Sequence, residues 1–374
     1  MRIENVQMLT GGGTFKNGSI EFGDKIQKIE THDAICPGAG PYLIPGLIDI
    51  HTHGALGRDH SDGSAEKMRG MSIFYAKAGV TSFLATTLTS TEGRLARAMR
   101  NAAQFVRPPG GARCAGINME GPFFSYEKRG AHPADLLMLP DVPMFERLYK
   151  LSGGKIKLVS ISPELGGAME FIRRVSQVSR VSLAHSAADY GTAMEAFGNG
   201  AAHVTHLFNG MNPFMHREPG IIGAALDAGA SVELICDGYH LHPAVVRAVF
   251  GLFPDGVCMI SDSLRCTGLP DGDYESAGLP VTVNNGKATL RDGGSIAGST
   301  ITLMQGIRIA VSLGIPLAAA VTAATAHSAR AIGMGGVIGS LAPGACADLV
   351  LLDSELQILK VYINGEEIDR PEAG

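Results

Sequence analysis

The chain has 374 residues, enough to bury one large core and a smaller one beside it. Forty-nine glycines, 45% hydrophobic residues and only 18% charged residues describe a compact α/β protein and exclude a disordered one. A net charge of −5 without a local Lys/Arg run offers nucleic acid no electrostatic footprint, and no apolar stretch is long enough to span a bilayer. The start, MRIENVQMLTGGG, lacks a basic segment followed by an apolar one, so no secretion signal is evident and a cytoplasmic location is expected. Cys36, Cys114, Cys236, Cys258, Cys266 and Cys346 are scattered without a C-x-x-C pair. They are expected to be thiols in a reducing compartment.

Residues 1 to about 42 alternate short apolar segments with turns. Ile3, Val6 and Met8, then 19–22 and 25–29, predict a small antiparallel sheet. The C-terminus repeats the pattern at 347–352 and 359–363, followed by an Asn364-Gly365 turn. Neither piece buries enough apolar area to stand alone. The termini are therefore expected to meet in one small β-sandwich domain, 1–44 plus 338–374, around a central 45–337.

That centre opens with a Pro45-Gly46 turn and an apolar strand, 47–50, interrupted only by Asp49. Further strand-like stretches are 80–88, 116–120, 156–163, 180–185, 203–208, 232–236 and 257–261, each continuous and apolar as befits strands covered on both faces. Helical stretches such as 64–78, 91–105, 187–198 and 243–250 lie between them. Eight strands with crossover helices predict an α/β fold of the (β/α)8 TIM-barrel type. A doubly wound open sheet gives a similar pattern.

Barrels carry their chemistry at the C-terminal ends of the strands. His51 and His53 follow the first strand at a spacing of two, which puts both imidazoles on one face, where they can hold a divalent metal. The other strand ends supply Glu120, His185, His206, Asp237 with His240 beyond it, and Asp262. Any one of these alone is better read as an incidental polar cap. So many ionisable groups at one end of six strands point instead to a shared site. Histidine and carboxylate donors without a thiolate suit a hydrolytic Zn, Fe or Mn centre.

This pattern resembles the amidohydrolase superfamily. Within it, the stretches around Met119-Glu120-Gly121-Pro122-Phe123, Ala184-His185-Ser186, Thr205-His206, Asn209-Gly210, Arg217-Glu218-Pro219-Gly220, Asp237-Gly238-Tyr239-His240 and Ile296-Ala297-Gly298 resemble the N-acetylglucosamine-6-phosphate deacetylase family over nearly the whole chain. The resemblance implies that Glu120, His185 and His206 are the principal metal ligands. His51 and His53 would form a second site that some members lack. Asp262 would be the catalytic acid/base, and His132 the contact to the reacting amide carbonyl. Sugar-phosphate contacts are implied at Ala131, His132, Asn209, Gly210, Arg217, Asp237, Gly238, Tyr239, His240, Ile296, Ala297 and Gly298, with a homodimer completing the phosphate site. Two departures stand out. Ser261-Asp262-Ser263-Leu264 replaces a common Thr-Asp-Ala while keeping the aspartate. The fourth strand ends Ile161-Ser162-Pro163-Glu164 without the carboxylated lysine that often bridges two metals, which leaves Glu120 as the bridge.

The expected activity is metal-dependent hydrolysis of N-acetylglucosamine 6-phosphate to glucosamine 6-phosphate and acetate. One or two divalent metals per subunit are expected, two favoured, with zinc ahead of iron or manganese. Metal-bound water with a pKa of about 7 would attack the amide, with Asp262 as base and then acid. The planar fork of Arg217 suits a phosphate better than a surface ion pair with Glu218. The nearest alternative is N-acetylgalactosamine 6-phosphate as substrate. Another amide hydrolase or deaminase of the superfamily is disfavoured by the Arg217 loop and the missing lysine. A non-catalytic scaffold is disfavoured by the complete ligand set.

Overall fold

A computed structural model of the chain describes residues 1–11, 13–32 and 41–369. Cys36 lies outside the described residues. All eight expected central strands are present: Leu47–Thr52, Val80–Thr87, Arg113–Met119, Ile156–Ile161, Arg180–Leu183, Ala201–Val204, Ser231–Ile235 and Val257–Ile260. They pair in parallel and in chain order. The eighth returns to the first, where Asp262 N–H donates to His51 O at 2.9 Å. A doubly wound sheet would instead reverse its strand order at a switch point, so the barrel is the fold.

Alternation along each strand builds two layers. Leu47, Phe83, Val159, Val181 and Val232 pack with helix residues such as Met71, Leu95 and Phe171. Ile48, Leu84, Leu158 and Ile235 pack instead with Ala329 and Ile332 near the foot of the barrel. Several crossover helices begin at a side-chain cap: Ser64 opens Ala65–Lys77, Asp141 opens Val142–Leu151 and Asp189 opens Tyr190–Gly198.

The termini do meet. One seven-stranded sheet runs Glu366–Glu367, Ile358–Ile363, Leu349–Leu352, Tyr42–Pro45, Arg2–Leu9, Phe15–Phe22, Ile26–His32. Its joint is the antiparallel pairing of Leu349–Leu352 with Tyr42–Pro45. Met8, Ile20, Phe22, Leu43, Leu349 and Tyr362 form a core of their own.

One element has no counterpart in the sequence reading. After the eighth strand, Gly272–Ser276, Leu279–Asn284 and Lys287–Leu290 make a three-stranded antiparallel sheet. Its second turn is Asn285-Gly286, both with positive φ, the strongest short-range hairpin signal in this stretch.

Candidate metal centre

Six side chains converge at the C-terminal mouth of the barrel. Glu120 stands at their centre, 2% exposed. Its Oε1 lies 3.2 Å from His206 Nε2 and 3.4 Å from His185 Nε2. Its Oε2 lies 3.2 Å from His53 Nε2 and 3.5 Å from His51 Nε2. Each carboxylate oxygen thus faces a separate histidine pair. Within the pairs the Nε2 atoms are 3.3 Å and 3.1 Å apart. Asp262 Oδ1 closes on the first pair, 3.2 Å from His53 and 3.5 Å from His51.

Local backbone geometry aims these groups. His51 and His53 share the end of one extended strand, so their spacing suffices. His185, His206 and Asp262 each sit just past a strand with φ of 47°, 26° and 50°, in or beside the left-handed region that non-glycine residues avoid. Such strain persists where surrounding contacts over-determine it, and it concentrates at functional sites. Two glycines make room for these turns. A Cβ on Gly210 would meet His185 Nδ1 at 2.9 Å, and one on Gly298 would meet Asp262 O at 2.9 Å.

The charges are mutually dependent. Burial alone would keep the histidines neutral and the carboxyls protonated. The carboxylates Glu120, Glu233 and Asp262 outweigh burial at His51 and raise its pKa well above normal; hydrogen bonds to Asp262 and Glu120 push His53 up to about 9. In return the histidines hold Glu120 and Asp262 below the usual carboxylate range against the same burial. The cluster therefore calls for positive charge. The ligand atoms of His51, His53 and Glu120 lie within 4.8 Å of one another, as do those of Glu120, His185 and His206. Buried nitrogen and carboxylate donors gathered this closely fit a hard-to-borderline divalent cation. His132 differs: burial and the neighbouring His185 push its pKa well down, and Thr89 N–H donates to its Nδ1 at 3.4 Å. Its ring proton then belongs on Nε2, which points toward Glu120 Oε2 at 3.7 Å.

His53, Glu120, His185, His206 and Asp262 line a cavity of about 460 Å³. Ala131, His132, Asn209, Gly210, His240, Ile296 and Gly298 line it too. Asp237 stands behind it, accepting the Tyr239 and His240 amides at 2.9 Å and the His240 ring at 2.7 Å. Gly238 provides the positive φ of that turn, and Ala297 is buried in the wall. Tyr239 points elsewhere, its hydroxyl donating to Asn285 O at 2.5 Å.

Within its own chain Arg217 does not line this cavity. It is exposed, with Nη1 2.7 Å from His216 Nε2, and lines a separate cavity of about 740 Å³ against Asp189, Tyr190 and Asp227. Its loop leads into the Gly220–Asp227 helix. The Lys or Arg that does line the metal cavity is Lys128, just before Gly130 and not singled out in the sequence. Glu233 was missed as well. It lies 2.8 Å from His51 Nδ1, and its signal was a lone acid inside a buried apolar strand.

The chain is 37% identical to N-acetylgalactosamine-6-phosphate deacetylase of Escherichia coli O157:H7, over 87% of each chain. It is 35% identical to N-acetylglucosamine-6-phosphate deacetylase of Bacillus subtilis, over 97% of this chain and 96% of that one. A mutant N-acetyl-D-glucosamine-6-phosphate deacetylase from Mycobacterium smegmatis, solved with N-acetyl-D-glucosamine-6-phosphate, superposes with a TM-score of 0.92. It is 31% identical, over 98% of this chain and 99% of that one. The model of the amidohydrolase family matches residues 42–368, all eight barrel strands included, and the chain belongs to the amidohydrolase family.

Proposed function

We infer that this chain is a metal-dependent deacetylase that hydrolyses N-acetylglucosamine 6-phosphate to glucosamine 6-phosphate and acetate. The observation that carries the reading is Glu120, with one oxygen against each histidine pair and Asp262 beside the first, in a cavity large enough for a small ligand. Glu120, His185 and His206 would hold one divalent ion, and His51, His53 and Glu120 a second, with zinc the best match to the donors. A bound cation supplies Lewis acidity, polarising the amide carbonyl and lowering the pKa of water to about 7.

The protein's own groups do the rest. Asp262 is ionised and faces the cavity, so it can take a proton from the attacking water and return it to the departing amine nitrogen. His132 presents Nε2–H for the carbonyl oxygen as negative charge develops there. Lys128 and His240 are the donor candidates for the phosphate end, with Asp237 fixing the His240 ring. We assign Arg217 to the phosphate only through a homodimer, since its own chain keeps it in a separate cavity. A cytoplasmic location and a division into a β domain (1–44 plus 338–374) and a barrel (45–337) complete the proposal. Among the described residues, no helix is long and apolar enough to cross a membrane.

The test is a panel of N-acetyl hexosamines, with and without 6-phosphate, assayed alongside metal content. The expected result is a kcat/KM ratio for phosphorylated over free N-acetylglucosamine far above one, falling in Lys128→Ala chiefly through KM. A ratio near one would remove the phosphate from the proposal. The galactosamine epimer is the second reading, favoured by the relative at 37% identity, and the same panel separates the two.

A further inference from the structure

Glu233 sits in the seventh barrel strand with 0% exposure. A carboxylate so far from water is costly unless every lone pair facing the protein is used. Its Oε2 lies 2.8 Å from His51 Nδ1 and accepts the backbone N–H of His206 at 3.2 Å. Its Oε1 lies 3.2 Å from His203 Nε2. His203 Nδ1 is in turn 2.6 Å from Ser231 Oγ, which stands 3.4 Å from Arg180 Nη1. A chain of hydrogen bonds thus runs through the barrel interior and ends on His51, whose Nε2 is 3.3 Å from that of His53.

The direction of those bonds is fixed by chemistry. An ionised carboxylate only accepts, so His51 carries a proton on Nδ1 and is left with the Nε2 lone pair, the atom beside His53 and Glu120. Among the described residues, the other three rings have no such backing. His185 Nδ1 meets a peptide oxygen, Lys128 O, at 2.9 Å, while the Nδ1 atoms of His53 and His206 are buried without a partner. Carboxylate support is reserved for one ring of four. Partners of this kind orient a ligand ring, select its tautomer and raise its basicity.

We propose that Glu233 is the positioning residue of the His51/His53 metal site, and that His203 anchors it from behind. The inference rests on the reading of the two histidine pairs as ligands. Glu233→Gln is the informative change. The amide oxygen can still accept from His51 and His206, and the amide nitrogen can donate to His203 in its other tautomer. The fold is kept and the charge is lost.

The experiment strips the protein of metal, then titrates zinc in competition with a chromophoric chelator, using His53→Asn and His185→Asn to assign the two sites. In wild type, two sites are expected. In Glu233→Gln the His51/His53 site should weaken by about 10–100-fold while the His185/His206 site holds its affinity. His203→Gln should weaken the same site by less. Unchanged affinity at both sites in Glu233→Gln would overturn the proposal. So would equal weakening of both sites with a lowered Tm, the mark of a residue that only fills the core. A wild type with no site assignable to His51/His53 would overturn the ligand reading itself, and the proposal with it.

Discussion

The two histidine pairs around Glu120 are held in different ways. His51 and His53 come from a single strand in ordinary extended geometry, and carboxylates surround them: Glu120, Asp262 and, behind His51, Glu233. His185 and His206 come from two neighbouring strands and meet through unusual backbone turns. Among the described residues, the only carboxylate in contact with their rings is Glu120, through Oε1, and His185 leans on a peptide oxygen. One pair is held by charge, the other by backbone conformation. Removing a charge should therefore break the first pair, and adding a methyl group should break the second.

The largest effect is expected where the two regions share a residue. Glu120→Ala removes the oxygen facing each pair, so metal content should fall toward zero and turnover to background. Retention of one full metal equivalent would show that one pair holds a cation without Glu120. Next comes Asp262→Asn, which keeps the shape but removes the proton acceptor. Its kcat should drop by about 10²–10⁴-fold with metal retained. Near-normal turnover would remove Asp262 from the mechanism.

Gly210→Ala tests the backbone-held pair. Gly210 has φ of 62°, and a Cβ there would crowd His185 Nδ1 at 2.9 Å and Lys128 O at 3.2 Å. A left-handed alanine costs about 1–2 kcal/mol, to be measured as a shift in the urea midpoint. Metal loss should fall on the His185/His206 site alone. Loss at the His51/His53 site instead would dissolve the distinction between the pairs.

The same contrast explains what the sequence made legible. His51 and His53 need only an extended strand, so their spacing was enough to pair them. Glu120, His185, His206 and Asp262 could be placed by asking which polar residue ends each apolar strand, because barrel closure brings those ends together. Arg217 could not be placed because its position depends on the path of a loop, and no periodicity encodes that path. Lys128 was hidden in a segment without regular structure before Gly130. Glu233 was overlooked for the opposite reason, lying inside a strand identified correctly as buried. There the lone acid itself was the clue, since a buried strand tolerates one only with partners. The three-stranded sheet at 272–290 was missed although its Asn285-Gly286 turn was in plain view.

The smallest predicted effect sharpens the comparison from outside the ligand set. His60 is buried like His53 and is joined to it by His60 N–H donating to His53 O at 2.9 Å. The pKa of His53 is pushed up to about 9, while burial and then the charge of His53 push His60 down to about 3. The difference is the company each ring keeps. His53 has two carboxylates within 3.2 Å, whereas His60 stacks on Phe83 at 5.3 Å and leaves Nδ1 without a partner. The folded protein therefore refuses a proton that the unfolded chain accepts below a pKa of about 6.5. Stability from His60 is complete above that value and is lost as pH falls toward 3, by about 1.4 kcal/mol per unit. Glutamine cannot titrate, so His60→Gln should remove this slope. Urea unfolding at pH 7 and 5.5 should show the gap between wild type and His60→Gln shift by about 1 kcal/mol in favour of the variant at the lower pH. The difference between the two proteins cancels every other titrating group. If the gap is the same at both pH values, His60 is not held neutral by its surroundings. The contrast between a histidine in contact with two carboxylates and one stacked on an aromatic ring would then fail at its simplest point.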